Sequence, residues 1–317
     1  MEILITGITG LFGSQLAREF RHLGNIHGLK RKDSSLALVQ DAEEIIWHEG
    51  EINDFEAIFE ALKGIDLVIH AAGLVSFSPK DQEMLHRINT QGTATLVNAM
   101  LHQRVTKLVH VSSVAAIGRV PGVKSLDENF KWVESPLNTD YAISKYRAEL
   151  EVWRGQQEGL EVLVVNPSII LGKISTQRSS TEILDYVMKE NRFYPKGKLN
   201  YIDVRDASAI IRLLVEKGAW GERFILNKES LAYRDFFEAA AKVFSKKAPS
   251  FPVSAGLVKI AVPVMGILRL LGLGKTTLNK QIAMISQQKT EFRNDKVQSL
   301  LDYRYYPLEE SLKWAKS

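Results

Sequence analysis

The predicted fold is decided by a glycine-rich stretch near the start of the chain, Thr6-Gly7-Ile8-Thr9-Gly10-Leu11-Phe12-Gly13. It lies between a short apolar run, Ile3–Thr6, and a pattern with helical spacing, Leu11–Leu23. Three glycines at intervals of three residues let the backbone turn sharply and approach a pyrophosphate, while the start of the helix supplies free N–H groups. This context favours a dinucleotide-binding turn over an ordinary strand–helix turn that contains glycine.

Outward from this turn, apolar runs alternate with helical patterns as far as Pro167. The runs are nearly continuous, as in strands that helices cover on both faces. We therefore predict an α/β fold, a Rossmann-type doubly wound parallel sheet. The alternation then breaks. We expect a dinucleotide-binding domain of 1–167 and 203–226, and a smaller, mostly helical substrate-binding region of 168–202 and 227–317.

The pattern gives approximate bounds for the main elements. The predicted strands are Ile3–Thr6, Ile26–Leu29, Asp66–His70, Leu108–Ser112, Val162–Asn166, Tyr201–Asp203 and Phe224–Leu226. The predicted helices are Leu11–Leu23, Asp54–Leu62, Asp81–Gln103 and Tyr141–Glu158.

The composition excludes several classes of site. The 317 residues include no cysteine, which rules out disulfides, Cys-bearing zinc sites and cysteine nucleophiles, and we predict no metal site. The net charge is only +4 and the basic residues are scattered, so we expect no nucleic-acid partner. The most apolar region, Phe251–Gly272, is interrupted by Lys259, Pro263 and Arg269, so we expect no transmembrane segment and a cytoplasmic location. Its apolar helical spacing predicts core or subunit packing, with a homodimer as one form, or else a substrate lid or membrane-surface contact.

The residues after the second strand bear on the cofactor. NAD enzymes usually place an acid there to hold the ribose hydroxyls. Here Gly28-Leu29-Lys30-Arg31-Lys32-Asp33 offers cations first, and Arg31, with Lys32, suits the 2′-phosphate of NADP. We predict NADP as the cofactor, while Asp33 keeps NAD open. The simpler interpretation of these cations is a solvated basic turn without a role in binding.

A catalytic constellation follows two later strands. Ser112 and Ser113 end the strand Leu108–Ser112, at the carboxyl edge where open parallel sheets bind ligands. Tyr141 and Lys145 are four residues apart, so they share one face of a helix. Hydride transfer to a carbonyl needs a proton donor, and a nearby ammonium lowers the pKa of a tyrosine. A serine hydroxyl can hold the carbonyl oxygen.

These motifs resemble the extended short-chain dehydrogenase/reductase superfamily, the NAD-dependent epimerase/dehydratase family. The glycine spacing matches its TGxxGxxG start, and His70-Ala71-Ala72-Gly73 matches its HAAx signature. Tyr201-Ile202-Asp203-Val204-Arg205-Asp206 resembles a stretch of dihydroflavonol-reductase-like and 3β-hydroxysteroid-dehydrogenase-like members, and the segment from Asn294 to Glu310 resembles their C-terminal signature. The Asp–Arg–Asp run is expected to tie the two regions together.

The resemblance implies roles for individual residues. Tyr141 would be the catalytic acid/base, Lys145 would lower its pKa and bind the nicotinamide ribose, and Ser113 would be the catalytic serine, with Ser112 as the neighbouring register. Asn89 lies near the active site in such enzymes, although a helix-packing role is equally open, and His70 is at least as readily a satisfied core histidine. The predicted cofactor contacts are Gly7, Thr9, Gly10, Leu11, Phe12, Gly13, Arg31, Lys32, Glu51, Ile52, Ala71, Ala72, Gly73, Asn89, Ser112, Tyr141, Lys145, Pro167, Ser168 and Ile170.

One departure from the family pattern narrows the range of expected activities. Asn166 stands where the family usually has Arg, and the R-x-x-N-V-Y-G-P set of nucleotide-sugar enzymes is missing. The sequence therefore predicts an NAD(P)-dependent oxidoreductase acting on a ketone, aldehyde or secondary alcohol. The alternatives are a nucleotide-sugar epimerase or dehydratase and a non-catalytic redox sensor. Candidate substrate contacts are Val75, Ser76, Phe77, the loop Ser175–Ser180, Phe193 and Tyr194.

Overall fold

The computed structural model describes residues 1–173, 182–254 and 280–317. Its strands are β1 (Glu2–Thr6), β2 (Asn25–Lys30), β3 (Ile46–Glu49), β4 (Leu67–His70), β5 (Lys107–Val111), β6 (Ser125–Leu126), β7 (Glu161–Pro167), β8 (Ile169–Leu171), β9 (Phe193–Pro195), β10 (Lys198–Asp203), β11 (Glu222–Leu226), β12 (Glu229–Ala232), β13 (Phe251–Val253) and β14 (Glu291–Phe292). Its α-helices are α1 (Leu11–Phe20), α2 (Phe55–Ala61), α3 (Gln82–Leu85), α4 (Gly92–Gln103), α5 (Asp140–Gln157), α6 (Glu182–Met188), α7 (Val204–Glu216), α8 (Tyr233–Phe244), α9 (Lys280–Ile285), α10 (Asp295–Leu300) and α11 (Leu308–Lys316).

Seven strands form one parallel sheet in the order β11-β7-β5-β4-β1-β2-β3. The chain runs outward from β1 through β2 to β3 and then crosses to β4 on the other side of β1. This reversal creates a crevice at the carboxyl ends of β1 and β4, where doubly wound sheets bind ligands. The predicted Rossmann-type fold is confirmed.

Both faces of the sheet are covered, which explains the continuous apolar runs. Along β1, Ile3 and Ile5 pack into one core with α1 and α7, whereas Leu4 packs into the other. That second core includes residues of α2, α4 and α5. Strand side chains alternate between faces, so only strands with helices on both sides bury every residue.

The later part of the chain adds small sheets to its helices. Strand β10 pairs in parallel with β8 and antiparallel with β12, while β9 pairs with β13 and β6 with β14. Helices α6, α8 and α11 share a third core with Leu199 and Tyr201 of β10. Most of these strands were not predicted, because two to four residues are too few to show alternation.

The run Asp203–Asp206 ties the C-terminal segment to α7. The Asp203 carboxylate accepts a hydrogen bond from the backbone N–H of Arg205 and caps α7, and it also pairs with the Arg205 guanidinium. Asp206 is buried and accepts the Tyr303 hydroxyl at 2.9 Å and the Tyr306 N–H. Burial raises the pKa of Asp206 to about 6, against the effect of the Tyr303 hydrogen bond.

Two predicted elements differ in detail. The helix predicted over 81–103 is interrupted by a π-helical turn, His86–Gln91, which sequence spacing does not reveal. Strand β3 was missed because it lies at the sheet edge and is only partly covered, so it carries no apolar run.

Two predictions concern residues that the structure does not describe. The loop Ser175–Ser180 lies outside the described residues, as does Phe251–Gly272 from residue 255 onward. Within the described parts, the helices are all too short or too polar to span a bilayer.

We predict that Gly13→Ala destabilises the fold by about 3 kcal/mol, because a Cβ there would lie 2.2 Å from the backbone oxygen of Gly7. Gly64→Ala is the control. Gly64 has φ +74° with open space around it, so that change tests backbone strain alone, about 1 kcal/mol. Urea unfolding measures both variants, and an equal or smaller loss for Gly13→Ala would contradict the close approach.

Candidate active site

The glycine turn brings two parts of the backbone together at the edge of the sheet. Gly7 has φ +70°, and a Cβ there would lie 2.6 Å from the backbone nitrogen of Ala72. The Gly10 N–H donates to the Gly7 carbonyl at 2.9 Å and closes the turn. Gly10 then begins α1 without a side-chain cap, so the N–H groups of the first turn have no side-chain acceptor. The turn is therefore shaped for an anion at a helix N-terminus.

His70 links this turn to α4. Its Nδ1 lies 2.7 Å from the Thr6 hydroxyl and its Nε2 lies 3.0 Å from the Thr93 hydroxyl. Thr93 already donates its hydrogen to the Asn89 carbonyl, so Nε2 donates to Thr93 and Nδ1 accepts from Thr6. Burial, with the charge of Lys145, lowers the pKa of His70 to about 3. His70 is therefore a neutral, satisfied core histidine.

Asn89 lies in the π-helical turn and is almost fully buried. Its amide oxygen accepts the Leu74 N–H at 2.7 Å, and its NH₂ donates to the Leu74 carbonyl and to the Ser144 hydroxyl, each at 2.9 Å. Both of its amide hydrogens are thus used within the protein. The amide holds the segment after β4 against α5, the helix that carries Tyr141 and Lys145.

Lys145 points into the crevice. Its Nζ donates to the Val111 carbonyl at the end of β5, at 2.8 Å. A Cβ built on Gly73 would lie 3.9 Å from the same Nζ. Burial lowers the pKa of Lys145 to about 8, against the charge of Glu149. The ammonium therefore lies between the ends of β4 and β5, next to the crevice at the ends of β1 and β4.

Ser113 and Tyr141 are brought together at the same edge of the sheet. Ser113 accepts the Ala115 N–H at 3.2 Å, which leaves its own hydrogen free to donate. Burial raises the pKa of Tyr141, while a hydrogen bond with Ser113 acts in the opposite direction. The Phe77 ring lies edge-on to Tyr141, with the ring centroids 5.9 Å apart. The lowering of the Tyr141 pKa by Lys145 stays a prediction for the site with its cofactor.

A buried network behind Ser113 includes a residue that sequence reasoning missed. The Glu149 carboxylate, fully buried in α5, accepts the Asn166 amide at 2.6 Å and pairs with the Arg223 guanidinium. Asn166 also donates to the Ser113 carbonyl at 2.9 Å. Arg223 comes from β11, about sixty residues after Asn166 in the chain. The only hint in the sequence was that Asn166 stands where the family usually has Arg, so that a different cation had to pair with Glu149.

Two buried polar groups at this edge have no hydrogen-bond partner among the described residues. One is the hydroxyl of Ser112, the residue that follows β5. The other is the imidazole of His110, whose ring lies 5.3 Å from that of His70. Burial, followed by the charges of Lys145 and His70, lowers the pKa of His110 well below its usual value.

The ends of β2 and β3 border a shallow depression of about 610 Å³. It contains the predicted residues Arg31, Lys32 and Glu51, together with Asp33. It also contains two acids that are not among the predicted contacts, Glu49 and Asp54. Its lining is Arg31, Lys32, Asp33, Glu49, Gly50, Glu51 and Asp54. Glu49 enters because β3 pairs with β2, opposite Lys30. The charge at this end is mixed rather than simply basic.

The remaining predicted contacts lie along the same edge. Thr9, Leu11 and Phe12 are partly buried in the turn and the first turn of α1, and Ile52 packs against Gly92. Ser168 is buried, with its hydroxyl on the Leu226 carbonyl. Two further predicted contacts lie on either side of it. Pro167 ends β7, and Ile170 lies within β8. The described residues contain no cluster of three or more His, Asp or Glu side chains that could hold a metal.

Comparison with known proteins identifies the family. The model of the NAD dependent epimerase/dehydratase family matches residues 3–226. Sterol demethylase protein B of Methylococcus capsulatus is 31% identical over 234 residues, 72% of this chain and 70% of that protein. Cinnamoyl-CoA reductase 2 of Arabidopsis thaliana is 26% identical over 269 residues, 79% of each chain. The crystal structure of gox2253 matches with a TM-score of 0.83 and 29% identity, over 99% of this chain and 96% of that one.

The chain belongs to the NAD dependent epimerase/dehydratase family. It is an NAD(P)-dependent enzyme of the extended short-chain dehydrogenase/reductase type, as the sequence predicted.

We predict that His70→Leu flattens the loss of stability in acid. The His70 pKa falls from 6.5 in the unfolded chain to about 3 in the fold, so the unfolded chain takes up a proton that the fold refuses. The contribution of His70 is complete above pH 6.5 and is lost as the pH falls toward 3, by up to about 1.4 kcal/mol per pH unit. Denaturant unfolding between pH 7 and 4 measures this slope. His22→Leu, at an exposed imidazole, is the control, and equal slopes in wild type and His70→Leu would contradict the assignment.

Proposed function

We propose that this member of the NAD dependent epimerase/dehydratase family is an NADPH-dependent reductase of a ketone or aldehyde, with Ser113, Tyr141 and Lys145 as its catalytic residues. One observation carries the proposal: the end of β5 and helix α5 present these side chains at the carboxyl edge of the sheet. The Ser113 hydroxyl pairs with Tyr141, and the Lys145 ammonium lies at the end of β5 beside Gly73. The reductase named among the relatives supports the same class of reaction.

The chemistry follows from what each side chain can donate. The cofactor, when bound, supplies a hydride to the carbonyl carbon. The Ser113 hydroxyl accepts the Ala115 N–H and keeps its own hydrogen, which can hold the carbonyl oxygen. The Tyr141 hydroxyl donates the proton that this oxygen needs as charge develops on it. Lys145, cationic below a pKa of about 8, stabilises the tyrosinate left behind.

The backbone fits a dinucleotide at the other side of the crevice. Any side chain at Gly7 would strike the backbone of Ala71 and Ala72, so nothing but backbone can face a ligand there. The uncapped first turn of α1 supplies N–H groups for a pyrophosphate. We propose that the turn Gly7–Gly13 holds the pyrophosphate, that Ala71–Gly73 lies against the cofactor, and that Glu51 and Ile52 border the adenine. Ser112, Pro167, Ser168 and Ile170 would border the nicotinamide. Asn89 would act by positioning the segment after β4, since its amide is already engaged.

The depression between β2 and β3 would hold the adenosine ribose. Arg31 is exposed and has no carboxylate partner among the described residues, so its guanidinium is free for a 2′-phosphate. The acids in the same depression repel this 2′-phosphate. We infer that Arg31, helped by Lys32, outweighs this repulsion because its guanidinium can form two hydrogen bonds to the phosphate.

The two regions of the chain would bind different molecules. Residues 1–167 and 203–226 would hold the cofactor, and 168–202 with 227–317 would hold the substrate. Phe77 is placed to contact the substrate, because its ring lies against Tyr141.

Tyr141→Phe should reduce turnover about 10²–10⁴-fold, because it removes the proton donor used in the transition state. Its affinity for NADPH should stay near that of the wild type. A panel of ketones and aldehydes, followed by the absorbance of NADPH, gives the rates. Net oxidation of NADPH also separates a reductase from an epimerase, which returns its hydride. Tyr146→Phe, on the same helix and stacked on Trp132, is the matched control. Near wild-type turnover in Tyr141→Phe would refute the assigned role.

We predict that the wild type binds NADPH more tightly than NADH. Arg31→Ala should weaken NADPH about 10- to 100-fold, the usual contribution of a charged hydrogen bond, and leave NADH nearly unchanged. Cofactor fluorescence titration measures both affinities. Arg18→Ala, at an exposed arginine in the last turn of α1, is the control for loss of one surface charge. An NADH preference in the wild type, or equal loss for both cofactors, would contradict this role of Arg31.

A further inference from the structure

Arg119 lies six residues beyond Ser113, where the loop after the proposed catalytic serine meets the later part of the chain. The loop turns at Gly118, which has φ +89°, and the Arg119 N–H is fixed on the Asn138 side chain at 2.9 Å. The Arg119 guanidinium lies over the ring of Phe292, 5.3 Å from its centroid. Its charge also lowers the pKa of Tyr233, although burial dominates and raises that pKa to about 12. Phe292 and Tyr233 both belong to the proposed substrate region.

This guanidinium has no counter-charge. Among the described residues it forms no ion pair and no side-chain hydrogen bond. The undescribed segments 174–181 and 255–279 contain no Asp or Glu, so no acidic side chain there could serve it.

The other arginines show how unusual this is. Each described arginine except Arg119 either is exposed or pairs with a carboxylate. The paired ones are Arg21, Arg154, Arg205, Arg212, Arg223, Arg234 and Arg293. The exposed ones are Arg18, Arg31, Arg87, Arg104, Arg147, Arg192 and Arg304. Arg119 is partly buried and unpaired, an arrangement that costs free energy unless an anion binds.

Arg119 nevertheless stays charged. Burial lowers the pKa of Arg119 to about 10, still well above neutral pH. The guanidinium nitrogens have no hydrogen-bond partner among the described residues, but they are not fully buried, so a ligand can reach them. The Tyr233 hydroxyl, protonated at neutral pH, is a second donor beside it.

We propose that Arg119 binds an oxyanion of the substrate, a carboxylate or phosphate group remote from the reacting carbonyl, so that the enzyme prefers anionic ketones or aldehydes. The proposal rests on the proposed reductase function. Six residues of chain keep the Cα atoms of Ser113 and Arg119 at most ~20 Å apart, and the substrate would reach from one side chain to the other. Bidentate guanidinium geometry suits either oxyanion.

Matched substrate pairs test this inference. Straight-chain ω-oxo carboxylates of increasing length are compared with their methyl esters, which keep the aldehyde and lose the charge, and with the corresponding ω-oxoalkyl phosphates. Rates are measured with wild type, Arg119→Gln and Arg119→Lys, and with Arg18→Gln as the charge control. We expect the wild type to reduce one length of anion about 10- to 100-fold more efficiently than its ester, mainly through KM.

In Arg119→Gln this preference should disappear while ester reduction continues, which shows that the variant is folded, and Arg119→Lys should keep part of it. Arg18→Gln should behave as wild type. The better of the carboxylate and phosphate series identifies the oxyanion. Equal rates for anions and esters in the wild type, or a preference that survives in Arg119→Gln, would overturn the inference while leaving the reductase in place. Failure to reduce any aldehyde, esters included, would instead count against the proposed function.

Discussion

The candidate site depends on the two hydrogen bonds of the neutral His70 imidazole. Through Thr6 it holds the last residue of β1, just before the glycine turn, and through Thr93 it holds α4. Thr93 in turn fixes the backbone of Asn89, whose amide holds the segment after β4 and the helix α5. A charged imidazole would have to donate from both nitrogens, and Thr6, which donates to Nδ1, would then have to reverse its hydrogen bond. One buried chain of hydrogen bonds therefore joins the glycine turn, α4, the segment after β4 and α5 in a single geometry.

A second network fixes α5 from behind. Glu149 is fully buried, and such a carboxylate is stable only when its oxygens are paired. Asn166 and Arg223 share that task, and Asn166 also reaches the backbone of Ser113. The two strands β7 and β11 thus position the helix that carries Tyr141 and the loop that carries Ser113. The same carboxylate helps to keep Lys145 charged despite its burial.

The proposed cofactor and the proposed anionic substrate would each meet a cation of the candidate site. At one end, Arg31 and Lys32 lie among acids in an open depression. Six residues after Ser113, Arg119 lies half-buried against Phe292, with no carboxylate partner in the part of the chain that the structure describes. Burial holds His70 and His110 neutral, while the Lys145 ammonium is fixed on the carbonyl at the end of β5.

The sequence by itself determined the sheet and its turn, because local signals carry them: glycine spacing, apolar runs and helical periodicity act over a few residues. It also determined which face of α5 bears Tyr141 and Lys145, since a spacing of four needs only a helix. Tertiary structure decided the rest. Glu49 beside Arg31, Arg223 on Glu149, and Arg119 against Phe292 join residues far apart in the chain. Short strands such as β8 and β12 form only because a neighbour completes their hydrogen bonds. Which charges meet and which stay unpaired is a property of packing, and no pattern along one chain segment encodes it.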